Sequence, residues 1–270
     1  MDLKKLQFNW NKLGEIDPLW AILSFPDKEG NKWNIRDFFA TGEQEINDVI
    51  ATVKSFGIKT PLQRCLDFGC GIGRLTQALA THSEEVHGVD IALSMISKAQ
   101  EFNSDTSRVF YHLNTVDNLR LFPDNYFDLI YSNIVLQHIE PSYSKKYIQE
   151  FLRVLLPGGI LIFQLPENIS TSIEKNRDNT PISQGHNFKN RLRHIISSIL
   201  PLQIIDFYRF IVYGNIASKR ANMEMYGVKK EEVISLIKEW SENIEILDIK
   251  NNDSVDEKWI SWCYFITKVK

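Results

Sequence analysis

From Gly42 onward the apolar positions Ile46, Val49, Ile50, Val53 and Phe56 recur on one helical face, which predicts an amphipathic helix ending near Gly57. After Pro61 the period changes. Short apolar runs now alternate with helical segments: "RCLDF" reads as a buried strand, Ile72 to Ala80 as a helix, "EVHGVD" as a strand and "LSMISKAQEF" as a helix. "RVFYHL" and "YFDLIYSN" read as a third and a fourth strand. "SKKYIQEFLRVL" follows as a helix with Tyr147, Ile148, Phe151, Leu152 and Leu155 on one side, and "GGILIFQL" as a fifth strand. Strands alternating with helices make βαβ units and a mostly parallel sheet covered on both faces.

Two stretches depart from this rhythm. The first forty residues carry Trp10, Trp20, Trp33, Phe38 and Phe39 among Pro18, Pro26 and Gly30 without a clean period, and read as short helices and loops forming a cap. Pro166 to about Lys229 opens polar and turns amphipathic and aromatic. A connection of that length inside a domain is usually a lid or binding element. The helix "KKEEVISLIKEW" follows it, and then "IEILDI" and "WISWCYFITK", joined by one loop, predict an antiparallel pair at a sheet edge. The expected divisions are a cap over 1–41, a Rossmann-like core over 42–165, a lid or substrate insert over 166–229, and completion of the core over 230–270.

Composition narrows the function classes. A net charge of -3 supplies no basic field for nucleic acid or anionic lipid. No apolar run reaches the roughly 18–20 residues of a membrane span, and the N-terminus has no apolar core of a signal peptide. Cys65, Cys70 and Cys263 form neither a disulfide framework nor a metal-spaced set, so reduced thiols in a cytoplasmic protein are expected. No metal is expected either.

The chemistry concentrates in "RCLDFGCGIGRLTQALA". Glycines this dense suggest a close approach of the backbone to something. Dinucleotide enzymes want G-x-G-x-x-G, but here the spacing is G-x-G-x-G and Arg74 stands where the third glycine would be. An acid before the glycines, Asp67, suits a ligand with an ammonium group and a nucleoside but no phosphate. Asp90, ending the next strand, is placed to accept hydrogen bonds from two ribose hydroxyls.

From about Leu66 to Leu165 the chain resembles the core of class I S-adenosylmethionine-dependent methyltransferases. "LDFGCGIGRL" resembles their first motif, "VHGVDIA" the acidic ribose motif, "FPDNYFDLIYSNIVLQHI" the fourth-strand region, and "RVLLPGGILIFQL" the loop and strand after it. The resemblance implies a doubly wound, seven-stranded, mostly parallel α/β sheet with one antiparallel strand in its edge region. It implies S-adenosylmethionine as cofactor, with Asp67, Gly69, Cys70 and Gly71 around the methionine moiety. It further implies Asp90 on the ribose, Ile91 on the adenine, Asn114, Thr115 and Val116 at the adenine edge, and Asn133 near the methionine amino group. "SNIVLQH" stands where nucleobase-amine methylating enzymes carry "NPPY", which disfavours a nucleobase acceptor.

Catalytic candidates are His138 and Gln137, just past the fourth strand. Methyl transfer from a sulfonium is an in-line displacement governed by positioning, and an oxygen nucleophile also needs a base. The competing reading makes His138 a structural, hydrogen-bonded histidine at a helix start. His186 and His194, in the insert, read as surface or packing residues with a base role as the minority alternative, and Met225 and Tyr226 as packing the lid, with substrate contact as the alternative. The expected function is methylation of a small molecule, a specialised metabolite, at oxygen or nitrogen. The alternatives are an NAD-type oxidoreductase and a non-catalytic methyltransferase-like binding module.

Overall fold

The computed structural model describes residues 1–168, 223–251 and 259–269. Three helices come first. Helix α1 (Leu3–Ile16) is capped by the Asp2 carboxylate, which accepts the Lys5 N–H at 2.8 Å, and α2 (Pro18–Ile22) by Asp17. The second oxygen of Asp17 also accepts the N–H groups of Gly30 and Asn31, at 2.7 and 2.8 Å. One buried carboxylate thus ties a helix start to the following loop.

Helix α3 runs from Ile35 to Ser55 behind an Asn34 cap, and buries Phe38, Gly42, Ile46, Ile50 and Val53. Gly42 is therefore inside the helix rather than at its start. A Cβ there would stand 2.5 Å from the Arg74 carbonyl oxygen, so the glycine marks where α3 crosses close to the next helix. The division expected at residue 41 falls within this continuous helix.

The sheet follows the βαβ reading: β1 (Leu62–Phe68), α4 (Arg74–Leu79), β2 (Ser83–Asp90), α5 (Leu93–Phe102), β3 (Val109–Leu113), β4 (Phe127–Ser132), α6 (Pro141–Val154) and β5 (Leu155–Asn168). After the insert come α7 (Lys230–Trp240), β6 (Ile244–Asn251) and β7 (Trp259–Lys268). Seven strands lie in the order β3-β2-β1-β4-β5-β7-β6. β7 is antiparallel to both its neighbours and the other pairs are parallel, which is the one reversed strand expected. β5 pairs with β7 as far as Asn168, beyond the boundary drawn at 165.

Alternation along the strands builds two cores. Leu66, Phe68, Ile130 and Phe163 face α6 and α7 through Tyr147, Phe151, Val233 and Ile237, while Cys65, Val86, Leu129 and Ile162 face α3 and α4 through Ile46, Ile50, Leu75 and Leu79. A third cluster joins the N-terminal helices to the turn after β1 and to α5 through Ala21, Phe38, Ile72 and Met95. Among the described residues no helix is long and apolar enough to cross a membrane. The lid expected over 166–229, with His186 and His194, lies for residues 169–222 outside the described residues.

Candidate functional site

β1 and β4 are neighbours although the chain visits β2 and β3 between them. Open α/β sheets bind ligands beyond the carboxyl ends of the strands at such a switch point. A cavity of about 780 Å³ opens there, within the usual range for small-molecule sites.

Its floor begins with the glycine turn. The N–H groups of Gly69 and Cys70 both donate to the Val89 carbonyl, at 2.7 and 3.0 Å, which fastens the turn to β2. Gly69 and Gly71 have φ of +78° and +53°, conformations that L side chains enter at a cost. Their missing side chains clear protein atoms: a Cβ at Gly69 would lie 2.3 Å from Val135, and one at Gly71 2.5 Å from the end of Ile22. The glycines are thus required by the fold of the site's own walls.

Asp90 lines the cavity, and each carboxylate oxygen accepts one backbone N–H, from Gly71 at 2.9 Å and Ala92 at 2.8 Å. Burial pushes its pKa up, and these N–H donors oppose the shift. Asn114 donates its backbone N–H to the Asp90 carbonyl. Its side-chain amide donates to the Val116 and Asn118 carbonyls, leaving Oδ1 as an acceptor without a partner among the described residues. Cys70 and Ile91 also line the cavity. Thr115 and Val116 are exposed and lie outside its lining, Val116 contributing only its carbonyl oxygen, to Asn114 and Tyr147.

Asp67 is buried behind the floor rather than in the lining, where it accepts the Thr76 hydroxyl at 2.6 Å. Desolvation raises its pKa to about 7, with Thr76 and the Arg74 guanidinium opposing, and Glu45 and Asp90 adding to the rise.

The most connected group in the wall is Glu45, which the sequence reading passed over. One of its oxygens accepts the Tyr131 hydroxyl and the Asn133 amide, each at 2.8 Å, and the other pairs with Arg74 at 2.8 Å. Arg74 also donates to Thr41, and its buried Nε has no partner among the described residues. The glutamate lies on α3 one residue before the buried Ile46, which is the only trace it leaves in the sequence.

Past β4, Ile134 adopts φ +60°, an outlier for a β-branched residue. Its N–H donates to the side-chain Oε1 of Gln164 at 3.2 Å. A buried relay continues from Gln164: its amide donates to Gln137 and to Ser261, at 3.0 and 2.7 Å. The Gln137 amide nitrogen meets His138 Nε2 at 3.1 Å, and His138 Nδ1 meets the Glu224 carbonyl at 2.9 Å. A carbonyl only accepts, so Nδ1 carries the proton and Nε2 is the lone pair that Gln137 donates to. Burial lowers the His138 pKa and the Glu224 carbonyl opposes that shift, so the ring is neutral near pH 7. Trp10 packs edge-on against it at 5.3 Å. Gln164 is the polar residue within the apolar run 160–165 of β5, a signal that was present in the sequence. Met225 lines the cavity, while the Tyr226 N–H donates to the Gln137 carbonyl at 2.7 Å.

Residues 66–163 match the family described as "Methyltransferase domain". Phosphoethanolamine N-methyltransferase 2 of Caenorhabditis elegans is 30% identical over 163 residues, 59% of this chain and 36% of that protein. Malonyl-[acyl-carrier protein] O-methyltransferase of Bacillus anthracis is 31% identical over 145 residues, 49% of this chain and 52% of that protein. The chain therefore spans about a third to a half of the length of these relatives. Magnesium protoporphyrin IX methyltransferase from Synechocystis PCC 6803, solved with SAH, aligns with a TM-score of 0.57 at 16% identity, covering 99% of this chain and all of that one. At that identity the likeness is one of fold.

Proposed function

We propose that this chain, whose residues 66–163 belong to the methyltransferase domain family on a class I fold, transfers a methyl group from S-adenosylmethionine to an oxygen or nitrogen of a small molecule. The observation that carries the reading is the meeting, in one cavity wall, of the Gly69–Gly71 turn and the Asp90 carboxylate that holds the Gly71 N–H. A phosphate would be repelled by that carboxylate, whereas vicinal hydroxyls can donate to its remaining lone pairs.

The other donors and acceptors fit the same cofactor. Asn114, with both amide hydrogens committed, offers only Oδ1 and so suits an amino group rather than a carbonyl. Ile91 supplies an apolar surface for a purine. Asn133, its amide nitrogen given to Glu45, keeps Oδ1 for an ammonium. When bound, the sulfonium supplies an activated methyl for in-line displacement.

The chain's own contribution is then orientation and, for a hydroxyl acceptor, proton removal. Neutral His138 presents Nε2 in the cavity wall, where it can accept a proton once the Gln137 amide turns aside, and the Glu224 carbonyl keeps the tautomer fixed. An amine acceptor needs only its neutral form. His138→Ala is expected to lower turnover of a hydroxyl acceptor roughly 10²–10⁴-fold with cofactor affinity unchanged. A loss of only a few-fold, or a collapse of cofactor binding, rejects the base role.

The reading as a whole is tested by calorimetry. S-adenosylmethionine and S-adenosylhomocysteine should bind and NAD should not, and Asp90→Ala should weaken binding by about 1.5–3 kcal/mol, the worth of hydrogen bonds to a charged group. Tight NAD binding, or an Asp90→Ala protein of unchanged affinity, overturns it.

A further inference from the structure

The floor of the cavity is polar, but its roof is not. Helix α1 contributes Leu6 and Trp10, the segment after α2 contributes Leu23 and Phe25, and the chain returning from the insert contributes Met223 and Met225. Trp10 lies against His138, so this apolar surface adjoins the imidazole ring. Among the described lining residues the sole cation is Arg74, and it is engaged by Glu45 at 2.8 Å and by Thr41. Lys5 lies outside the lining, in an exposed pair with Glu224.

The geometry points to an acceptor that is apolar and uncharged where it binds, a neutral amine or hydroxyl on a hydrocarbon or aromatic body, and not a phosphorylated one. This rests on the methyltransferase reading and narrows it. Against these side chains a phosphate would be desolvated with no free cation among the described lining residues to pair it, whereas an apolar body is favoured by the area it removes from water. The roof also disfavours the protonated form of an amine, because desolvation acts against the charged state. That leaves the lone pair free for transfer. Unbranched Met223 and Met225 can repack around bodies of different shape, so the site selects by polarity more than by outline. Phosphoethanolamine, named for the relative in C. elegans, is the kind of acceptor this roof rejects.

The test uses the full chain saturated with S-adenosylhomocysteine, saturation being established separately by calorimetry. N-phenyl-1-naphthylamine, a neutral apolar fluorophore, is titrated in. Its emission should rise saturably. Met225→Glu should weaken that binding at least about tenfold, since a carboxylate in the roof must be desolvated. Leu121→Glu, at an exposed residue outside the lining, should leave it unchanged and excludes surface adsorption. Phosphoethanolamine at millimolar concentration should neither displace the fluorophore nor take up label from methyl-labelled S-adenosylmethionine. Absence of saturable binding, equal binding to Met225→Glu, or displacement or methylation by phosphoethanolamine overturns the proposal. Failure of S-adenosylhomocysteine to bind removes the cofactor reading instead, and the fluorophore titration then still decides the character of the roof.

Discussion

Gly69 and Gly71 both occupy left-handed backbone conformations, yet alanine at the two positions should have different consequences. Moving a non-glycine residue into that region costs about 1–2 kcal/mol, and this applies to both. At Gly69 the new methyl would also face the branched side chain of Val135, with three of its carbons at 2.3, 2.4 and 2.9 Å. A β-branched residue cannot rotate out of the way cheaply, so overpacking adds about 1–3 kcal/mol and Gly69→Ala should lose about 2–5 kcal/mol. At Gly71 the clash is with the terminal carbon of Ile22, at 2.5 Å. That end can swing to another rotamer for about 0.5–1.5 kcal/mol, so the loss should fall nearer to 1.5–3.5 kcal/mol. Urea denaturation followed by far-ultraviolet circular dichroism measures both. Adding Val135→Ala to Gly69→Ala relieves the clash, and the double variant should be more stable than the sum of the single losses by about 1–3 kcal/mol. Equal losses at the two glycines, or strict additivity with Val135→Ala, would refute the argument that Gly69 is held by its neighbour rather than by backbone conformation alone.

Asp67 predicts a pH signature. Its folded pKa, about 7, stands above the 3.8 of an exposed aspartate, so its contribution to stability is fully present below pH 3.8 and is lost as pH rises through 7. Compared with the wild type, Asp67→Asn should therefore gain stability by about 4 kcal/mol between pH 3.5 and 8, the linkage value of that shift. Urea midpoints with a pH-independent difference would reject it. Gln164→Leu strips partners from the Ile134 N–H, the Gln137 side-chain Oε1 and the Ser261 hydroxyl. At about 1–3 kcal/mol for each buried group left unpaired, it should cost at least about 3 kcal/mol in the same assay, and a loss below about 1 kcal/mol would mean that the relay is not maintained in solution.

The alternation of apolar runs and helical periods was enough to determine the βαβ order, the reversed final strand and the position of the glycine turn, because each depends on local pattern and on chirality shared by all such sheets. Asp90 was legible for the same reason: a strand end followed by a helix start places its carboxylate next to the turn. What the glycines clear was not legible. Val135 and Ile22 come from segments far away in the sequence, and only the packed chain brings them to the turn. Asp67 looked like a ligand-facing acid, but the first turn of α4 covers it and turns it towards Thr76. Thr115 and Val116 follow β3 in the expected place, yet the chain bends after Asn114 and carries them to the surface. Glu45, Gln164 and the apolar roof come from segments spread from α1 to the chain just before α7, so no local window contains the site they make. Local periodicity decides which segments become strands and helices, whereas the chemistry of the cavity depends on side chains meeting across those elements, and that is set by tertiary packing.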